Sequence, residues 1–136
     1  MLERIAGTGD LPQMIATLAS YDRIFGPISM QTLSVAALVG QTLAQSGENE
    51  IARRLLERVA RDVIRAGVPA HPVRLTALAS LRDLHLESGD LESAIAVQTE
   101  LAGGWLAAAG SEAPQTVDAK ARLASLLMSS ASAPEA

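Results

Sequence analysis

Apolar residues recur along this chain at helical spacing, and the spacing itself repeats. Leu75, Leu78, Leu81 and His85 step by three, three and four, which places them on one face of a helix. Leu33, Val39 and Leu43 stand 42 residues before Leu75, Leu81 and His85, and Val117, Leu123 and Leu127 stand 42 after them. Ala37, Ala79 and Ala121 fall on the same step. "AQSGENEIA" (Ala44–Ala52) and "LESGDLESA" (Leu86–Ala94) repeat a polar turn at that distance too. One matched glycine would be chance; a ladder of matches at one period marks a repeat architecture.

Within each Ser-Gly pair the glycine can take the left-handed conformation that ends a helix, because it has no Cβ to clash. Asp90 can then cap the helix that follows. Each unit reads helix, tight turn, helix. The pattern predicts helices at about 10–25, 29–46, 48–66, 72–88, 90–109 and 115–130, with Pro72 and Pro114 marking the approach to two of them. The fold class is all-α, as stacked antiparallel helix hairpins. One domain spans 1–128, in units of about 1–28, 29–70 and 71–113 and a partial unit 114–128. The tail 129–136, "SSASAPEA", is expected to be loose.

Composition narrows the class. With 136 residues there is enough chain for one real core. Apolar residues make up 49% but aromatics only 2%, which suits close-packed helices better than a β-sandwich. A net charge of −4 argues against a nucleic-acid binder, since phosphate contacts want clustered Lys and Arg. The absence of cysteine excludes disulfides, thiol catalysis and zinc–thiolate sites, and fits a cytoplasmic protein. The opening "MLERIAGTGD" lacks the basic and apolar regions of a signal peptide. Ile24 to Gly47 carries no charge, but Gln31, Thr32, Ser34, Gln41, Thr42 and Gln45 interrupt it, and with the Gly26-Pro27 break they make it a buried helix rather than a membrane span. Arginine outnumbers lysine ten to one, a composition that hints at a GC-rich bacterial genome.

Candidate chemistry is sparse. "GTGD" (Gly7–Asp10) lacks the strand and the further glycines of a phosphate loop and reads as a turn. His71 and His85 have no neighbouring ligand spacing, so no metal is expected. Glu87, Asp90 and Glu92 flank a turn at a helix start, where acids serve capping and the helix dipole. No nucleophile stands in a recognisable elbow, so no catalytic residue and no cofactor are expected. Arg54, Arg58, Arg61 and Arg65 form a stripe along one helix. Glu50 lies four before Arg54 and Glu57 four before Arg61, the favourable order for ion pairs. That stripe reads as a solvated face, or as a surface for an acidic partner or a nucleic acid. Gly103-Gly104 inside a helix implies either a close helix approach or a kink.

The stretches "SVAALVGQTLAQSGENEIARRL" (Ser34–Leu55), "TALASLRDLHLESGDLESAIAV" (Thr76–Val97) and "TVDAKARLASLLM" (Thr116–Met128) resemble tetratricopeptide repeats. They are most similar to the 42-residue variant of kinesin light chains and many bacterial regulators. "FGPISMQTL" and "AHPVRLTAL" resemble that variant's linker between repeats. There are departures. Arg82 stands where the family prefers a small residue, matched by Gly40 and Ala124; Met14 replaces the small residue after the first turn; Lys120 takes a usually apolar position; and the first unit is shorter.

The resemblance implies a right-handed α-α superhelix and a non-catalytic function: binding a peptide or helix of a partner protein in a concave groove. It places Ser34, Ala37, Leu38, Gln41 and Gln45 in that groove, then Thr76, Ala79, Ser80, Asp83 and Glu87, then Asp118, Ala121, Arg122 and Ser125. The asparagine ladder that grips peptide backbone in kinesin light chains is replaced by Leu38, Ser80 and Arg122, and the basic clamp that other such repeats use on C-terminal carboxylates is absent. An acidic margin (Asp83, Glu87 and Asp118 against Arg122) favours an apolar ligand carrying Lys or Arg. Two other readings are open: a regulatory or sensor segment of a larger bacterial signalling ATPase or transcription regulator, and a self-associating scaffold. The last helix is apolar on nearly every side. Leu126, Leu127 and Met128 cannot all face the preceding hairpin, so either a homodimer through this helix or a continuation of the chain is expected to cover them.

Overall fold

A computed structural model describes residues 11–68 and 71–132 of the chain. Among the described residues lie six α-helices and no strand: α1 (Leu11–Phe25), α2 (Met30–Gln45), α3 (Asn49–Arg65), α4 (Pro72–Glu87), α5 (Leu91–Ala109) and α6 (Pro114–Ser132). The helix ends fall within one or two residues of those the sequence predicts. The main difference is at the end of α6, where residues 129–132, expected in a loose tail, are helical. Ser and Ala do not stop a helix; the first strong breaker is Pro134. The "GTGD" segment lies outside the described residues.

The turns are built by local chemistry. Gly47 has φ +89°, its N–H donates to the Ala44 carbonyl at 3.2 Å, and the Glu48 N–H donates to Leu43 at 2.9 Å. This pair of bonds is the Schellman ending. Gly89 and Asp90 repeat it on Leu86 and His85, at 3.1 and 2.9 Å. Asp90 then caps α5 by accepting the Ser93 N–H at 3.1 Å, and hydrogen bonding from Ser93 holds its carboxyl below the usual carboxylate range. His71 performs the same task for α4: its Nδ1 accepts the Val73 N–H at 3.1 Å, with Pro72 in the first turn.

Connections of three residues at 46–48 and 88–90 fold α3 back along α2 and α5 back along α4. Each helix packs on its neighbours in the chain, and α2 also reaches α4. Ala52 and Ala94, the small residues after the two turns, are fully buried. The core is aliphatic: Leu33, Leu43, Leu56, Val59, Val63 and Leu75 are almost wholly enclosed, and Met14 of α1 is buried with them. Among the described residues of α6 only Thr116 and Ala119 are buried, because α5 is its one major neighbour.

A second ladder, of buried polar residues, runs beside the apolar one. Thr32, Arg74 and Thr116 are 42 apart and all buried. Thr32 Oγ1 donates to the Tyr21 carbonyl of α1 at 2.9 Å, and Arg74 Nε donates to the Ala60 carbonyl of α3 at 3.3 Å. In each case the first helix of a unit is tied to the helix before it. Arg74 also reaches Glu100 of α5 at 2.6 Å. Thr116 Oγ1 makes no hydrogen bond.

The two central glycines of α5 separate cleanly. A Cβ on Gly104 would run into Leu75 of α4, whereas one on Gly103 meets open space. So the close-approach reading holds for Gly104 alone. Gly103→Ala is expected to stabilise the chain by about 0.5–1 kcal/mol, since it removes only the glycine penalty in a helix. Urea unfolding checks this; a lower midpoint would show that the backbone at 103 needs glycine.

Candidate functional site

The helical periodicity of α2, α4 and α6 divides each helix into faces about 100° apart per residue. On one shared side the three helices leave a run of hollows. The first, about 180 Å³, lies between α2 and α4 and is lined by Gln41, Gln45, Ser80, Asp83 and Glu87 with Ala44 and Leu84. The second, about 150 Å³, lies between α4 and α6, with Arg82, Asp83, Leu86, Arg122, Ser125 and Leu126. The third, about 250 Å³, reaches inward past Ala79, Asp118 and Arg122 to Gln98 and Trp105 of α5. Asp83 belongs to the first and second hollows and Arg122 to the second and third, so adjacent hollows share a wall and follow one another along the groove.

Nine of the residues the sequence places in a groove therefore line it: Gln41, Gln45, Ala79, Ser80, Asp83, Glu87, Asp118, Arg122 and Ser125. Ser34, Leu38 and Ala121 are exposed beyond the hollows, and Thr76 is half-buried. Ala37 requires a correction. It is buried in the core and presents nothing to a ligand. It lies one residue, about 100°, from exposed Leu38, and that step carries it from the open face into the packing.

Arg82 is a groove residue that the resemblance did not supply. Its side chain is 13% exposed, and it donates to Gln98 Oε1 at 3.0 Å and to Asp83 Oδ1 at 3.0 Å. Gln98 is fully buried and passes the connection on, donating from Nε2 to the Ala119 carbonyl of α6 at 2.8 Å. The sequence held a signal for this. Gln98 and Leu56 are 42 apart, as are Arg82 and Gly40. Leu56 packs on Gly40, while Gln98 bonds Arg82. A large apolar residue over a glycine in one unit becomes a polar pair in the next, which is how the missing small residue is accommodated.

Pairing also rewrites the groove's charge. Asp83 is held by Arg82, and Asp118 by Arg122 at 3.0 Å. Among the described residues Glu87 makes no ion pair. The acidic margin is thus concentrated at Glu87, at the end of the groove nearest the α4–α5 turn.

The arginine stripe of α3 is largely consumed internally. Arg54 pairs with Glu50 at 3.1 Å as expected. Glu57, however, pairs back to Arg53 at 3.1 Å instead of forward to Arg61. Arg58, Arg61 and Arg65 surround the buried carboxylate of Asp62 at 3.5, 3.7 and 3.8 Å, and Arg58 also reaches Asp22 of α1 at 3.6 Å. A buried carboxylate draws cations away from an exposed partner four residues off.

A larger cleft than these three, about 580 Å³, lies beside the turns and is lined by Glu50, Arg53, Glu57, His85, Glu87 and Asp90 among others. Acid–base work would need neighbouring carboxyls pushed apart in proton affinity. Here hydrogen bonding from Arg53 lowers Glu50, and Ser93 lowers Asp90, so both move the same way. Among the described residues no three His, Cys, Asp or Glu side chains converge as a metal site, and no helix is long and apolar enough to cross a membrane. No protein-family model matches the chain, and no curated protein matches it either.

Proposed function

We propose that this chain is a non-catalytic protein-interaction module of tetratricopeptide type, with its hairpins wound into a right-handed superhelix. It takes a peptide or helix of a partner protein into the groove of α2, α4 and α6. The observation that carries this reading is the succession of three adjacent hollows, which share Asp83 and Arg122 in their walls. Small residues at its floor, Ala44, Ser80 and Ala79, let a partner backbone approach closely. The ligand carries a Lys or Arg for Glu87, the carboxylate left without an internal cation. Apolar side chains fill the third hollow against Trp105. Charge at such a rim acts chiefly on the rate of association and on register.

Selection from a displayed random-peptide library tests it. The wild-type chain should enrich apolar peptides with a basic residue. Ala79→Arg should abolish the enrichment, and Glu87→Gln should remove the basic preference while leaving the apolar one. Arg61→Ala, on α3, should change neither. If Ala79→Arg is folded by circular dichroism and selects the same peptides, the groove is not the binding site.

A further inference from the structure

The face of α6 made by Val117, Lys120, Ala124 and Leu127 is neither the groove nor the side that meets α5. Successive steps of about 100° around the helix separate the three. The same face exists twice more in the chain, 42 and 84 residues earlier. On α2 it is Leu33, Ala36, Gly40 and Leu43, and it is closed by α3: all four residues are buried, with Leu56 seated on Gly40. On α4 it is Leu75, Leu78, Arg82 and His85, and it is closed by α5, through Gly104 against Leu75 and Gln98 against Arg82. Leu33 and Leu75 are 1% and 2% exposed, and Val117 is 54% exposed. Leu43 is 1% exposed, and Leu127 is 49% exposed. α6 is the third copy of a helix that is covered twice and left open once.

We infer that this face docks an amphipathic helix, and that the helix has the pattern of α3 and α5. The internal interfaces define that pattern. α3 presents Ala52, Leu56, Val59 and Val63, and α5 presents Ala94, Gln98, Leu101 and Trp105, a small residue followed by larger ones at +4, +7 and +11. The small residue sets the close approach, and the later ones fill the gaps between turns of the covered helix. One position modifies the fit. Lys120 stands where Ala36 and Leu78 are buried, so the docking helix brings a carboxylate opposite it. Continuation of an interface the chain already makes twice selects this occupant over a second copy, whose matching faces on α3 and α5 are already buried, with only Trp105 half-buried.

The probe is a synthetic, fluorescein-labelled peptide of residues 49–65, the α3 sequence, titrated with the full chain and read by fluorescence anisotropy. Saturable binding is expected. Val117→Glu and Leu127→Glu, both at exposed positions and checked for fold by circular dichroism, should each weaken it by about tenfold or more. Ala79→Arg, which blocks the groove, should leave it intact, so failure here and failure of the groove reading are separable. Absence of binding, or binding that ignores both α6 variants, overturns the inference. A concentration-dependent dimer in light scattering, broken by Leu127→Glu and formed by a chain that does not bind the peptide, overturns it in favour of a second copy.

Discussion

Gln98→Leu is expected to destabilise the chain by about 1.5–3 kcal/mol, the range for losing a hydrogen bond to a charged group. The change looks benign. It conserves volume and installs the residue that Leu56 supplies at the equivalent place one unit earlier. Yet Arg82, with its side chain only 13% exposed, would lose the Oε1 acceptor while keeping its charge. The Ala119 carbonyl would lose the Nε2 donor, and with it the polar link from α5 to α6. Removing one member of a buried charged contact costs more than replacing both. Arg82→Ala should therefore recover much of the loss, because together the two changes rebuild the small-against-large packing of Gly40 and Leu56. A double-mutant cycle by urea unfolding measures the coupling, expected within about 0.5–3 kcal/mol. Additive single effects would mean that Arg82 and Gln98 do not act as a pair.

The order of helices was legible because its determinants are local. A Ser-Gly pair, an acid two or three residues on and a small residue after it specify a Schellman ending and a new helix within a span of nine residues, and Gly47 and Gly89 adopt the same turn. The lining of the hollows was legible in part, through the resemblance that names Gln41, Gln45, Ser80, Asp83 and Glu87. Its edges were not: whether a residue beside that arc faces ligand or core depends on how closely the adjoining helix packs, and Ala37 went to the core. Charge was least legible. Counting residues makes the groove evenly acidic, but Arg82 and Arg122 each hold one of its carboxylates, which leaves Glu87. The partner of Glu57 depended on a buried competitor, Asp62, whose burial no spacing rule reports. The Arg82–Gln98 pair was visible in principle. It appears only when both residues are moved back by 42 and recognised as Gly40 and Leu56.

Gly40→Val should be among the most damaging single changes in the first complete unit, with an expected loss of about 1–3 kcal/mol from overpacking. Two effects compete. Glycine inside a helix costs about 1 kcal/mol relative to alanine, so any side chain at 40 gains something from backbone entropy. Against that, a Cβ at 40 would lie 2.7 Å from Leu56 Cδ2 and 2.8 Å from its Cγ. The second distance decides the sign. A methyl at the tip of a leucine can swing aside, but Cγ is the branch point, and moving it means moving the side chain as a whole. Leu56 is fully buried, so no free volume lies beside it. Valine adds two further methyls to the same collision. α2 and α3 would have to separate where Leu56 sits on Gly40, and that displacement would reach the groove through Gln41 on the adjacent face. Leu56→Ala made in the Gly40→Val background should restore part of the stability, because it empties the space the valine needs. Thermal and urea unfolding of the four combinations give the answer: a Gly40→Val chain as stable as the parent would show that α3 does not close on α2 at this glycine.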